Sequence, residues 1–389
     1  MSIDEFLPTH SVFQDYDKLS FDYVPDELVH REDAQRRMTT LFVPLLKGRP
    51  QNVIITGPIG SGKTALAVWF CREFQRLAAD RGRTIRYVLV NCRRRRTPAA
   101  IMLAVLNDFS FFPDRGFSLS EMLDALQKHL EKGIDLILVL DEADFMLRKS
   151  GSELVYLLTR FHDERQDARG SISLILISQQ QIQTMIEPAA LSTFRRGNRV
   201  HLEHYPRDVI RAIVEQRVGL AFNPGTVMPD AIDLIADIAG EKGDARYAIE
   251  MLEKAGLLGD ERGGERVTVE EVRAAKAMIY PVFDEETLGE LERHQKVLLL
   301  AIAMALRETA YTTTGEIEGT YRQICEELGD DPRGHTQVWK YIRDLDAHGL
   351  IEAQVGPGEG KGRTTLIRLS IQDMPVALLI DRLRADLGI

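Results

Sequence analysis

The chain has 389 residues, 44% of them hydrophobic and 28% charged, with a formal net charge of −10. That length is more than one hydrophobic core usually organises, so two or three domains are expected, with the composition of an ordinary folded cytosolic protein. The acidic balance excludes a surface coated in basic residues but leaves room for a local nucleic-acid patch, because phosphate contacts need only a few placed Lys and Arg.

The N-terminal MSIDEFLPTH has neither the basic nor the apolar region of a signal peptide, and no apolar run approaches the ~20 residues that span a bilayer. The expected location is cytoplasmic and nucleoid-associated, with no membrane partner. Cys71, Cys92 and Cys325 form no CxxC pair or Cys/His cluster, which argues against zinc and fits a reducing compartment.

Residues 51–202 alternate strand and helix patterns. QNVIIT (51–56) predicts a buried strand, and a helix follows from Lys63 to about Leu77. TIRYVLVN (84–91) is the next strand, followed by helices in PAAIMLAVLNDF and SLSEMLDALQKHLEKG. Then come the strand IDLILVLDE (134–142), the helix SELVYLLTRFHDE, the strand SISLILISQ (171–179) and a short strand in NRVHLEHY (198–205). Near-continuous Val/Ile/Leu strands separated by helices predict an α/β fold with a parallel sheet buried on both faces.

From Pro206 the pattern turns helical: PRDVIRAIVEQRVG, DAIDLIADIAG, DARYAIEMLEKAG and TVEEVRAAKAMI predict a small all-α domain. A boundary falls in PVFDEET. Beyond it, three helices (in LGELERHQKVLLLAIAMAL, GTYRQICEELG and HTQVWKYIRDLDAHG) precede LIEAQV, the Gly-rich tip GPGEGKG and RTTLIRLS, the pattern of a winged helix. The expected domains are residues 1–205, 206–282 and 283–389.

The most specific motif is Gly57-Pro58-Ile59-Gly60-Ser61-Gly62-Lys63-Thr64-Ala65, a complete P-loop between a strand and a helix. Its glycines let backbone N–H groups turn toward phosphate at a helix N-terminus. Lys63 reaches the β- and γ-phosphates of ATP, or the β-phosphate of ADP, in such a loop, and Thr64 offers its hydroxyl to Mg²⁺. Asp141, ending an apolar strand, is placed to hold the same Mg²⁺, and Glu142 to orient or deprotonate water. Residues 141–144 spell DEAD, but the other boxes of that helicase class are not visible.

Ser178 and Gln179 end another buried strand, where a polar group serves either the γ-phosphate or a strand cap. Arg246, in Gly243-Asp244-Ala245-Arg246, opens a helix with Asp244 as its N-cap; the arginine serves as a γ-phosphate reporter or as a surface ion-pair partner. Arg195 and Arg196 precede the last strand and are candidates for an arginine acting on a neighbouring subunit's nucleotide, or an exposed basic turn. Arg93, Arg94, Arg95 and Arg96 stand in a row before a helix start at Thr97-Pro98; DNA phosphates are the chosen partner, against a solvated loop of internal ion pairs.

On the third winged-helix element, Val338, Ile342 and Leu345 share a core face. Thr336, Gln337, Lys340, Arg343 and Asp344 fall on the other, with Trp339 at the border as a packing residue. Gln and Arg there suit base edges, and Lys and Thr suit phosphate. Lys361 and Arg363 at the wing suit minor-groove or phosphate contact. Winged helices also bind protein, so two other readings are a regulatory ATPase with a protein-binding winged helix and a non-specific DNA-binding ATPase of transposition-helper type.

The ordered set DYVPDELVHRED, GPIGSGKT, VNC, LVLDEAD, the strand ending in ISQ, FRRGNRVHLEHY, GDARYAIEML and the terminal winged helix resembles the AAA+ ATPases that serve as archaeal replication initiators. These are related to the eukaryotic origin-recognition and cell-division-cycle loader proteins, and the resemblance covers nearly the whole chain. It implies an AAA+ sheet, a helical lid and a duplex-binding winged helix. It implies that Val24, Pro25, His30 and Arg31 lie near adenine, that Gln179 holds the sensor-1 position and that Arg246 is the sensor-2 arginine. The helical region after Asn91 would grip duplex DNA together with the winged helix, on origin-like repeats, with self-assembly on DNA and a replicative helicase as partner. The family's sensor strand ends in Asn where Gln179 stands, and Ser192-Thr193-Phe194 lacks an arginine that some relatives carry. Both departures imply slow turnover, a switch more than a motor.

Overall fold

The computed structural model describes residues 11–113, 116–161, 170–195, 197–263, 266–279, 288–289, 291–307, 309, 311–357, 363–369 and 376–389. The chain divides into two compact units, Met1–Ala275 and Lys276–Ile389.

In the first unit β1 (Asn52–Thr56), β2 (Thr84–Asn91), β3 (Ile134–Asp141), β4 (Ile172–Ser178) and β5 (Arg199–His201) form a parallel sheet in the order β2-β3-β4-β1-β5. Side chains alternate between the two faces of a strand, and here both faces are covered. Ile137, Val139, Ile175 and Ile177 pack against α1 (Glu32–Phe42) and α2 (Lys63–Ala79). Leu136, Leu138, Leu140, Leu174 and Leu176 pack on the opposite face. Their cover there is α3 (Pro98–Phe109), α4 (Leu119–Leu130), α5 (Ala143–Ser150), α6 (Glu153–Thr159) and the short α7 (Pro188–Leu191). This double burial is why the strands read as unbroken apolar runs.

Pairing of Thr56 with Ser178 and of Leu140 with Leu176 brings β1, β3 and β4 to an end at nearly one level. The loops that follow these three strands therefore share one edge of the sheet, where α/β folds bind ligands. The stretch expected as one helix from Ser152 is α6 alone, preceded by a separate α5; its last residues, 162–164, lie outside the described residues. The last strand is shorter than expected, only Arg199–His201.

A helical layer completes the unit: α8 (Arg207–Ala221), α9 (Pro229–Gly240), α10 (Ala245–Glu261) and most of α11 (Val269–Met278), whose last three residues are counted with the second unit. Arg207 pairs with Asp237 and Arg211 with Asp233 across α8 and α9. Among the described residues no helix is long and apolar enough to cross a membrane.

The second unit contains α12 (Arg293–Ala305), β6 (Thr312–Thr313), α13 (Thr314–Leu328), α14 (His335–Ala347), β7 (Ile351–Pro357), β8 (Arg363–Leu369) and α15 (Val376–Leu387). Its strands form an antiparallel sheet in the order β6-β8-β7. The second helix was expected from Gly319 and begins at Thr314, because Thr313 and Glu316 form a capping box. The third strand β6 and the helix α15 are additions to the expected three helices and ribbon. Leu379, Ile380, Leu383 and Leu387 of α15 are part of the core.

Candidate nucleotide-binding and nucleic-acid-binding sites

The P-loop turns from β1 into α2 through backbone that only glycine adopts easily. Gly60 and Gly62 have φ of 69° and 81°. A Cβ on Gly62 would stand 2.6 Å from the Tyr205 hydroxyl, and one on Gly60 would stand 1.8 Å from the Asp244 carboxylate. Tyr205 and Asp244 thus pack directly against the loop at these two glycines. The first N–H groups of α2, at Lys63, Thr64 and Ala65, have no intrahelical acceptor and carry the positive end of the helix dipole. Ile59 forms the exposed tip. The Pro58 carbonyl accepts from Ser61 Oγ at 2.9 Å and from Lys63 Nζ at 2.6 Å. Burial pushes the Lys63 ammonium below the usual lysine range; Asp141 opposes the shift and Arg246 adds to it.

Thr64 Oγ1 donates to Asp141 Oδ2 at 2.7 Å, so the hydroxyl after the lysine and the carboxylate ending β3 converge. Among the described residues no three His, Cys, Asp or Glu side chains cluster to hold a metal. Mg²⁺ needs no such cage: it binds through one or two protein oxygens, water and phosphate, and this hydroxyl–carboxylate pair beside the P-loop fits that demand.

Glu142 has φ of 51°, left-handed backbone that non-glycine residues seldom take. Its N–H donates to Asp141 Oδ1 at 2.9 Å, and its Oε2 accepts from Asn91 Nδ2 at 3.0 Å. Asn91 Oδ1 in turn accepts from the Arg93 and Arg94 N–H groups at 3.0 and 3.2 Å. One side chain thus links the arginine turn to Glu142. Composition gave no signal for Asn91, since an Asn ending a strand is common turn chemistry.

Ser178 Oγ donates to Asp144 Oδ1 at 3.0 Å, tying β4 to α5, while Gln179 beyond it is exposed. Asp144 Oδ1 differs in use from Asp244 Oδ1, which caps α10 by accepting from the Arg246 and Tyr247 N–H groups at 2.8 and 3.1 Å. The Ala245 N–H donates to the Gly60 carbonyl at 3.3 Å, so the start of α10 rests on the P-loop. Arg246 is exposed, its guanidinium 5.1 Å from the centre of the Phe21 ring.

Val24 and Pro25 are buried and His30 is exposed with φ of 51°. Arg31 lies 3.8 Å over the Tyr205 ring and donates to Tyr205 Oη at 3.0 Å and to the Ser61 carbonyl at 2.8 Å. Burial pushes the Tyr205 hydroxyl up, opposed by Arg31. Tyr205 was not singled out from sequence; only the fold brings it to the P-loop. Arg195 is exposed on the turn before β5, and Arg196 lies outside the described residues.

Arg93 to Arg96 form an exposed turn, and Thr97 caps α3 through the Ala100 N–H at 3.3 Å. Arg93 and Arg96 lie 5.5 and 5.6 Å from the Phe145 ring centre, and Arg95 lines a groove between β2 and α3. In the second unit Val338, Tyr341, Ile342 and Leu345 bury one face of α14, leaving Thr336, Lys340 and Arg343 exposed and Gln337 half-buried. Two expectations change here. Trp339 is 40% exposed, with Arg343 5.6 Å over its ring, so it stands on the outer face and is not packing. Asp344 accepts from Gln295 of α12 at 3.3 Å and so leans inward. Lys361 lies outside the described residues; Arg363 opens β8, and its side chain is likewise outside them.

The sheet order, the P-loop and the convergent Thr64–Asp141 pair define a P-loop ATPase of the AAA+ class. An AAA-domain family matches residues 47–186, a Cdc6 AAA+ ATPase-type lid domain matches 211–277, and a CDC6 C-terminal winged helix domain matches 286–377. The chain is 30% identical to ORC1-type DNA replication protein 2 of Sulfurisphaera tokodaii, over 98% of this chain and 94% of that one. It is 34% identical to ORC1-type DNA replication protein 1 of Aeropyrum pernix, over 91% of both. The solved structure of the Aeropyrum pernix ORC1 protein in complex with DNA covers 96% of this chain and 97% of its own, with a TM-score of 0.76 and 31% identity. The Aeropyrum pernix ORC2 protein in its ADPNP–ADP complexes covers 97% of this chain and 98% of its own, with a TM-score of 0.69 and 26% identity. The chain belongs to the ORC1/Cdc6-type DNA replication initiators, nucleotide-binding AAA+ ATPases with a winged helix.

Proposed function

We propose that this initiator recognises origin DNA as a nucleotide-set switch, holding duplex with the arginine turn 93–96 and the winged helix. Residues 1–205 act as the ATPase body, 206–282 as the lid and 283–389 as the duplex-binding module. Val24, Pro25, His30 and Arg31 wall the base, residues 57–65 cradle the phosphates, and Lys63 neutralises their outer charge. Mg²⁺, held by Thr64 and Asp141, would supply charge neutralisation on the phosphate oxygens. Glu142 aligns the attacking water, Gln179 faces the γ-phosphate side, and Arg246 reports from the lid. Arg195 or Arg196 acts on a neighbouring copy.

Slow turnover is supported by the Asn91 hydrogen bond at 3.0 Å, which occupies one Glu142 oxygen. Thr336, Gln337, Lys340, Arg343, Lys361 and Arg363 approach the duplex. Assembly on DNA, recruitment of a replicative helicase and a place on the cytoplasmic nucleoid complete the reading.

What carries the DNA part is the near-full-length likeness to an ORC1 protein solved in complex with DNA. The test is selection of fragmented genomic DNA by the ATP- and ADP-loaded protein at near-physiological salt. Enrichment of a few loci with a shared repeat is expected. Uniform recovery in both states would replace origin recognition by non-specific loading, and no recovery would favour a protein-binding winged helix.

A further inference from the structure

We infer that Arg217, on lid helix α8, is a positioning residue for the nucleotide base, making the base wall a joint product of lid and body. The inference rests on the reading that places the base against Val24 and Pro25.

Arg217 is only 6% exposed, and its Nε is buried without a hydrogen-bond partner. Its partners are main-chain carbonyls and a ring face: Nη1 donates to Lys18 O at 2.6 Å, Nη2 donates to Tyr23 O at 3.0 Å, and the Tyr23 ring lies 4.9 Å away. A buried guanidinium is costly to desolvate, and here it is spent on fixing a strap of main chain.

That strap runs over the lid before it reaches the body. Val12 N–H donates to Asp260, Gln14 and Asp15 N–H donate to Ala221 O, and the Tyr16 hydroxyl bonds Glu253. Phe13 sits 4.7 Å from Phe222, over a hollow left by Gly256, where a Cβ would meet the Phe13 ring at 2.4 Å. From Tyr23 to Glu27 lid and body hold the strap in turn, Gln216 of α8 taking the Glu27 carbonyl at 2.9 Å after the body contacts. Tyr23 O is held by Arg217 of the lid, and the next carbonyl, Val24 O, by Arg72 of α2 at 3.2 Å. Trp69 of α2 then fixes Asp26 O at 2.7 Å. A base lying on Val24 and Pro25 therefore touches the seam itself. A lid that moves pulls Tyr23 through Arg217 and displaces the base wall, whether or not a γ-phosphate is present.

The experiment compares affinities for ATP, ADP and inorganic tripolyphosphate, which occupies the P-loop but has no base. Arg217→Met should raise the Kd for ATP and ADP by about tenfold or more, the scale of one charge-assisted hydrogen bond, with tripolyphosphate unchanged. Arg217→Lys, which keeps a donor, should recover part of the loss. Equal losses for ADP and tripolyphosphate, or no loss for either, overturn the inference. If Arg217→Met does not fold, hydrogen exchange on the unaltered protein decides. ADP should slow exchange in residues 18–25 and in α8 around Arg217 together, and tripolyphosphate in neither; slowing in the strap alone overturns the coupling. Val24→Asp separates the two layers of the argument. No effect of Val24→Asp on ADP removes the base-wall reading and the inference with it; an effect there without one at Arg217→Met overturns only the positioning role.

Discussion

The two ends of β3 each carry an aspartate, and their surroundings give them opposite uses. Asp135, at the start, is 1% exposed, accepts from the Ser171 N–H and hydroxyl at 3.0 and 2.7 Å and pairs with Arg83. Its oxygens are committed inside the protein. Asp141, at the end, is 9% exposed and, among the described residues, accepts from a hydroxyl that itself binds metals well and from the next N–H in the chain. What separates a structural carboxylate from an available one is the edge of the sheet at which it emerges. The strand's C-terminal edge gathers helix N-termini and loops, whereas its N-terminal edge only has to be closed.

The sharpest way to break this contrast is to exchange the outcomes. Asp141→Asn and Glu142→Gln should lower ATP turnover by about 10²- to 10⁴-fold with little change in melting temperature. Asp135→Ala should do the reverse, losing roughly 2–4 kcal/mol in denaturant titration while turnover per folded molecule stays near its original value. A destabilised Asp141→Asn protein, or an inactive but stable Asp135→Ala protein, would dissolve the distinction.

A smaller effect is expected at Gly60. Gly60→Ala combines left-handed backbone with a collision at Asp244 and should weaken ADP binding by the equivalent of about 1–3 kcal/mol in calorimetry. Asn91→Ala removes the hydrogen bond on Glu142 and should raise steady-state turnover about two- to tenfold; a decrease would mean that Asn91 aligns Glu142 instead of restraining it.

The mildest effect concerns Lys63. Burial lowers its pKa in the free protein, and adjacent phosphate raises it again in the complex. The protonated form is then the one that binds. ADP affinity should be complete below the free-state pKa and decline as pH rises through the bound-state one. Proton uptake on binding, read by calorimetry in two buffers at alkaline pH, checks the sign.

The same contrast explains what was legible in the sequence. Strands buried on both faces announce themselves, so β1 to β4 could be read directly. The P-loop was equally clear because its geometry needs glycine. The start of α13 is written in Thr313 and Glu316, three apart, whereas the helix pattern further on is plainest from Gly319. Asn91, Tyr205 and Arg217 were not legible in this way. Arg217 and Tyr23 are 194 positions apart, and the partner is a main-chain carbonyl that nearly any residue would offer. Trp339 misled because helical spacing puts it on the border, and only packing decides which way a border residue turns.

The chain has two tryptophans, and each unit contains one. Trp69 donates its indole N–H to Asp26 O beside Val24 and Pro25, and Trp339 lies exposed on α14 under Arg343. Fluorescence therefore offers one emitter for each of the two proposed binding events. On the proposed function, emission from a Trp339→Phe protein should follow the nucleotide, and emission from a Trp69→Phe protein should follow a duplex held by α14. With both residues in place, one stopped-flow trace carries the order in which nucleotide and DNA are engaged.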